Sequence, residues 1–119
     1  MNETKMYTGG CHCGAVRFEV KLGLEKVISC NCSICVQTGL LLVFTPADQF
    51  TLICGEDDLS DYLFNRKRIH HLFCSNCGVR SFASSVMPDG TEMRAINVRC
   101  LDDVDISTLT LTPIDGKNM

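Results

Sequence analysis

A chain of 119 residues, 45% hydrophobic and 21% charged, has an ordinary globular composition and the length for one modest core, not two. Its net charge of −3 gives no basic field for nucleic acid or an anionic membrane surface, so neither is an expected partner. No apolar run nears the roughly 20 residues of a membrane-spanning helix, and the opening MNETKMYTGG has no apolar signal region, which places the expected protein in the cytoplasm.

In chain order the pattern predicts strands. AVRFEVKL (15–22) alternates, with Val16, Phe18, Val20 and Leu22 on one face and Ala15, Arg17, Glu19 and Lys21 on the other, as a half-buried strand does. KVISC (26–30), LLLVF (40–44) and FTLIC (50–54) are short apolar runs bounded by Gly, Pro or Asp. LSDYLF (59–64), RIHHLFC (68–74), VRSFASS (79–85) and MRAINVRC (93–100) continue the series, with PDG (88–90) as a turn before the last. No segment sustains a 3.6-residue period, and the best helical candidate is a turn or two near DVDISTL (103–109). The expected architecture is one mainly β domain over 1–119, of antiparallel sheets with little helix.

Nine cysteines are the outlier, an odd number that rules out complete internal disulfide pairing. In a reducing compartment, tight cysteine groups bind metal or do thiol chemistry. Seven fall into three groups: Cys11 and Cys13, then Cys30, Cys32 and Cys35, then Cys74 and Cys77. The first and last pairs are each followed at once by glycine, Gly14 and Gly78. C-x-x-C-G aims two sulfurs at one ion, and a following glycine can take the positive φ that such a knuckle needs. Two such pairs make a closed four-sulfur site, the usual arrangement of structural zinc. A disulfide within C-x-x-C is the alternative, and it leaves CHC without a role. The central trio admits several readings. It can be an open three-ligand site whose free position takes water or a substrate thiolate. It can be a second closed site completed by Cys54, Cys100 or a histidine. It can share Cys11 and Cys13 in another pairing, or hold no metal.

At these residues the chain resembles a known family. GGCHCGAVRFEV (9–20), CNCSIC (30–35), YLFN (62–65), HLFCSNCGVRSF (71–82) and NVRCLDD (97–103) are similar to the glutathione-dependent formaldehyde-activating enzymes, in the branch that includes the domain of centromere protein V. The resemblance implies a β-tent fold. It also implies a structural zinc on Cys11, Cys13, Cys74 and Cys77, and a second zinc on Cys30, Cys32 and Cys35; between one and two zinc ions per chain are expected. In the founding enzymes that second zinc accompanies condensation of glutathione with formaldehyde to S-hydroxymethylglutathione. Those enzymes carry basic residues just after the third cysteine of the trio, where this chain has Val36 and Gln37.

Other residues are read more plainly. RKRIHH (66–71) is a strand end on which Arg68 and His70 face opposite to Ile69 and His71. His71 is either a partly buried histidine or a hydrogen-bond partner of the Cys74 thiolate. His12 points outward. Cys54 and Cys100 are small core residues. Phe44, Phe64, Phe73 and Phe82 are core, one of them a possible wall of the open metal corner, and EDDLSD (56–61) is an acidic loop without metal. Two functions follow. One is a zinc-dependent carbon–sulfur lyase-type enzyme joining a small thiol such as glutathione to a small aldehyde such as formaldehyde, with Cys30, Cys32 and Cys35 holding the catalytic ion. The other is a zinc-stabilised protein-binding module.

Overall fold

The computed structural model describes residues 4–63 and 69–115. Among the described residues, short runs rich in β-branched and aromatic residues, cut by Gly, Pro and Asp, form ten strands. They are β1 (Lys5–Gly10), β2 (Arg17–Leu22), β3 (Val27–Cys30), β4 (Leu41–Pro46), β5 (Phe50–Cys54), β6 (Leu59–Tyr62), β7 (Ile69–Cys74), β8 (Phe82–Val86), β9 (Glu92–Asn97) and β10 (Leu111–Ile114). An α-helix, α1 (Ser33–Thr38), stands between β3 and β4.

The strands make two sheets, a three-stranded one in the order β1-β2-β5 and a seven-stranded one in the order β10-β3-β4-β9-β8-β7-β6. Every pairing of named strands is antiparallel except that of β10 with β3, which is parallel. The mainly β expectation holds, and the single parallel edge corrects its purely antiparallel form. Pro113 sits in β10 without cost to a ladder bond because β10 is an edge strand.

All eight expected strands exist; the run over 50–54 keeps its bounds as β5, the others have shifted ends, and Phe64 and Arg68, at the ends of two expected runs, lie outside the described residues. The strand expected over 79–85 begins at Phe82, and that over 93–100 stops at Asn97 and passes into a 3₁₀ turn at Val98–Cys100. The helical expectation near 103–109 shrinks to one 3₁₀ turn at Ile106–Thr108, which the Asp105 carboxylate caps by accepting from the Ser107 N–H. The true helix, β1 and β10 were not expected.

The core lies between the two sheets. Val16, Phe18, Val20 and Leu22 are all buried, as their alternation requires, and pack with Val27, Leu41, Val43, Phe82, Ile96 and Val98 of the large sheet and its flank. Phe18, Phe50 and Phe82 form an aromatic cluster, with ring centroids 5.3 Å apart for Phe18–Phe50 and 4.6 Å for Phe50–Phe82. Outside the core, Arg17 pairs with Asp102, which also accepts from the Thr8 hydroxyl at 2.8 Å, so the loop after β9 is tied to the small sheet.

Four core assignments need correction, one of them Cys100, which is half-buried and outside the core cluster. Phe44 is 49% exposed, because in β4 it faces away from Val43 and the core. Phe73 is half-buried under the Arg80 guanidinium rather than in the core. Cys54 is exposed at the end of the edge strand β5, its thiol donating to the Ala15 carbonyl at 3.5 Å. Phe64 lies outside the described residues.

Phe18→Ala is expected to destabilise the protein by about 3–5 kcal/mol through lost burial and the cavity left behind. Phe44→Ala is expected to cost under about 1 kcal/mol, because half of its ring already meets water. Urea unfolding of the two variants checks the difference.

Candidate functional site

Cys11 and Cys13 occupy the turn from β1 into β2, and Cys74 and Cys77 the turn that leaves β7. In both knuckles the glycine after the second cysteine takes positive φ, 84° at Gly14 and 81° at Gly78, and its N–H donates to the carbonyl of the first cysteine. Open space surrounds both glycines, so the requirement is backbone conformation alone. Backbone donors then point at sulfur: the Val16 N–H lies 3.3 Å from the Cys11 Sγ.

The four Sγ atoms lie within 4.8 Å of one another, with Cys11–Cys13 at 3.6 Å and Cys13–Cys74 at 3.7 Å. Sulfurs bound to one zinc at about 2.3 Å stand about 3.8 Å apart in a tetrahedron, so the donor set fits that ion. All four are free thiols, which removes the C-x-x-C disulfide. Their protons are unevenly held. The Val79 and Cys13 N–H groups draw the Cys77 thiol down to about 6. The Asn76 side chain, then the Ala15 backbone, lowers Cys13. Cys74 has the Cys77 N–H in its favour, yet burial and the Cys13 and Cys11 thiols push it up to about 11. Thiols crowded so closely cannot all ionise without a cation among them.

Cys30, Cys32 and Cys35 form a second group whose Sγ atoms also lie within 4.8 Å of one another. Cys30 ends β3, Cys32 precedes α1, and Cys35 is the buried residue of its first turn. Burial and the Cys32 thiol push Cys35 well above the ordinary thiol range. Cys32 falls below it, since the Cys35 N–H and the thiols of Cys35 and Cys30 outweigh its own burial. Among the described residues no fourth Cys, His, Asp or Glu joins this group. Cys100 is turned away: its Sγ lies 3.5 Å from the Asn97 amide nitrogen and 3.6 Å from the Arg80 carbonyl. The three groups therefore assort as a four and a three, with no sharing of Cys11 and Cys13.

Three residues that the sequence reading passed over build the surroundings of the trio. Asn31 locks the segment between Cys30 and Cys32 to β10, its N–H donating to the Ile114 carbonyl at 3.1 Å and its amide to Asp115 at 2.8 Å. Asn97 donates to the Arg80 carbonyl at 2.8 Å and so fixes the segment that carries Arg80. The Arg80 guanidinium lies over the Phe73 and Tyr62 rings, 5.6 and 5.8 Å from their centroids. No carboxylate pairs with it among the described residues.

The trio, Arg80, Asn97 and His71 border a cavity of about 420 Å³ on the face of the large sheet opposite the core. His71 thus shares the lining of this cavity with the trio, on the opposite face of β7 from Cys74. Burial, then the Arg80 charge, lowers its pKa and keeps it neutral at pH 7. Its neighbour His70 faces the other way and pairs with Asp61, as strand alternation requires. His12 is exposed, as expected. Arg66, Lys67 and Arg68 lie outside the described residues. Val36 is 64% exposed on α1, and Arg80 is the only cation lining the cavity among the described residues.

Two clusters of thiols close enough to hold metal ions, on a pair of β-sheets, define a cysteine-rich β fold. The family model for glutathione-dependent formaldehyde-activating enzymes matches residues 6–114, and the chain belongs to that family. It is also similar to the crystal structure of a Rhodobacter sphaeroides protein, with 30% identity, a TM-score of 0.79, and coverage of 89% of this chain and 97% of that one. No helix among the described residues is long and apolar enough to cross a membrane.

The two clusters should differ on mutation. Cys77→Ser opens a link between distant parts of the fold and is expected to destabilise it by more than about 4 kcal/mol. Cys32→Ser affects a site drawn from six consecutive residues and is expected to leave a folded protein with about one zinc fewer. Thermal melts with elemental analysis check both.

Proposed function

We propose that the chain catalyses the reversible addition of a small thiol, with glutathione the first candidate, to a small aldehyde, with the reaction at the mouth of the trio. The observation that carries this reading is a three-thiol group that no fourth ligand joins among the described residues, bordering a cavity that the Arg80 guanidinium also lines. The family match supports the same chemistry.

Cys30, Cys32 and Cys35 would hold a zinc ion, and Cys11, Cys13, Cys74 and Cys77 another that serves the fold. A zinc ion with three thiolate ligands and an open position lowers the pKa of a thiol that binds there. The chain's own groups do the rest. Arg80, held over Phe73 and Tyr62, is placed to donate to oxygen as charge develops on the carbonyl, and its fixed position means little reorganisation is needed. His71, neutral and buried, can exchange a proton with that oxygen or with the incoming thiol. The cavity walls hold the aldehyde close to the sulfur, which replaces a bimolecular encounter by a positioned one. In the step itself sulfur bonds to the carbonyl carbon, the π pair moves to oxygen, and oxygen takes up the proton that the thiol gave up.

Exchange spectroscopy at equilibrium with glutathione and formaldehyde tests the proposal. The wild-type protein is expected to speed exchange, increasingly so as pH rises towards the pKa of the free thiol, and Cys32→Ser to remove the effect. Arg80→Gln is expected to slow it on the order of 100-fold. A wild-type protein that neither binds millimolar glutathione nor alters the exchange would contradict this function and favour a zinc-stabilised binding module.

A further inference from the structure

An antiparallel sheet with one face on the core usually turns polar side chains to water on the other. Much of the outer face of the large sheet is apolar instead. Across four adjacent strands, His71, Ala83, Ala95 and Phe44 stand side by side in register. Beside them Leu42 pairs with Ile28 and Asn97. The hollow has a simple cause: two alanines meet at its centre, between the larger side chains of Phe44, Ile69 and His71. Its floor is buried, with Ala95 only 7% exposed, while Phe44 and Ile69 at the mouth are 49% and 46% exposed.

The polar groups gather at one end. The trio, Arg80 and Asn97 stand at the level where β3 and β9 finish. From the Asn97 level to the row of Ile69 and Ser85 is four residues along the strands, roughly 13 Å. A cavity of about 420 Å³ lies in the range that takes whole organic ligands, whereas formaldehyde has two heavy atoms and would leave most of it empty. Glutathione does not fill it well either. Among the described residues its two carboxylates and ammonium would meet an apolar floor and a single cation, and burying charge on such a floor is costly.

The geometry points to an aldehyde with an apolar chain or ring as the carbonyl substrate, its oxygen towards Arg80 and its tail lying over Ala83 and Ala95. This rests on the function proposed above and names the substrate class of that site. The chemistry is unchanged: the thiol sulfur adds to the carbonyl carbon, oxygen receives the proton, and the product is a hemithioacetal with no oxidant or reductant needed.

The test holds glutathione constant and compares formaldehyde, butanal, hexanal and benzaldehyde by exchange spectroscopy. The rate enhancement over the uncatalysed reaction is expected to rise about two- to four-fold per added methylene up to hexanal, as burial of each methylene predicts. Ala83→Leu fills the hollow and is expected to flatten that rise, and Ala95→Val to reduce it; the wild-type series decides the matter even if either variant fails to fold. An enhancement that is level across the series, or greatest with formaldehyde, overturns this inference and leaves the proposed function standing. No enhancement with any aldehyde removes the proposed function. Hexanal binding, read from the methyl resonances of Ala83 and Ala95, then decides the inference alone, and unmoved resonances overturn it.

Discussion

The meeting of two thiol knuckles, Cys11 with Cys13 and Cys74 with Cys77, is the constraint on which the other features of this fold depend. The residues of the Cys13–Cys74 contact are 61 positions apart in sequence, one in the small sheet's first turn and the other at the end of β7 in the large sheet. Holding them within a few ångströms presses the small sheet against one face of the large one. Cys11 and Cys74 are themselves part of the buried core beside Val16 and Phe18. With so little chain to bury, a metal cross-link here would turn binding free energy directly into folding free energy.

Once one face of the large sheet is covered, the other is left for chemistry. The same strands serve both sides. In β4, Leu41 and Val43 face the core while Leu42 and Phe44 face the cavity. In β7, His71 faces the cavity and Cys74 closes the four-thiol cluster. Stability and site are therefore separated by the pleat, with alternate residues of one strand assigned to each. The trio then sits at the open side, where a segment of six residues can place three thiols without disturbing the core. Asn31 and Asn97 connect the two jobs, the first clamping the trio to the C-terminal strand and the second clamping Arg80 to the end of β9.

Much of this was legible in the sequence. The alternation from Val16 to Leu22 identified a core face, and the two C-x-C or C-x-x-C pairs followed by glycine identified partners distant in the chain. What was hidden has physical reasons. The helix at Ser33–Thr38 is too short to show a 3.6-residue period. Strand β1 has two glycines, and β10 has a proline and pairs in parallel with a strand far away in sequence, so neither carries a local turn signal. LLLVF reads as a continuous apolar run because both of its faces are apolar, and such a run does not reveal that its second face is a cavity wall rather than core. Arg80 and Asn97 were invisible as site residues because only tertiary structure brings them beside the trio. Cys54, following an apolar run, looked buried, but the run ends at an exposed sheet edge.

The central claim is a division of labour between two thiol clusters, one that holds the fold and one that serves the cavity. Native mass spectrometry of the reduced protein during stepwise chelation, with circular dichroism on the same samples, tests it most directly. The account predicts up to two zinc ions per chain, a first lost with the β signal intact and a second whose loss coincides with unfolding. Folded protein that carries no zinc, or that surrenders every ion without unfolding, would contradict it.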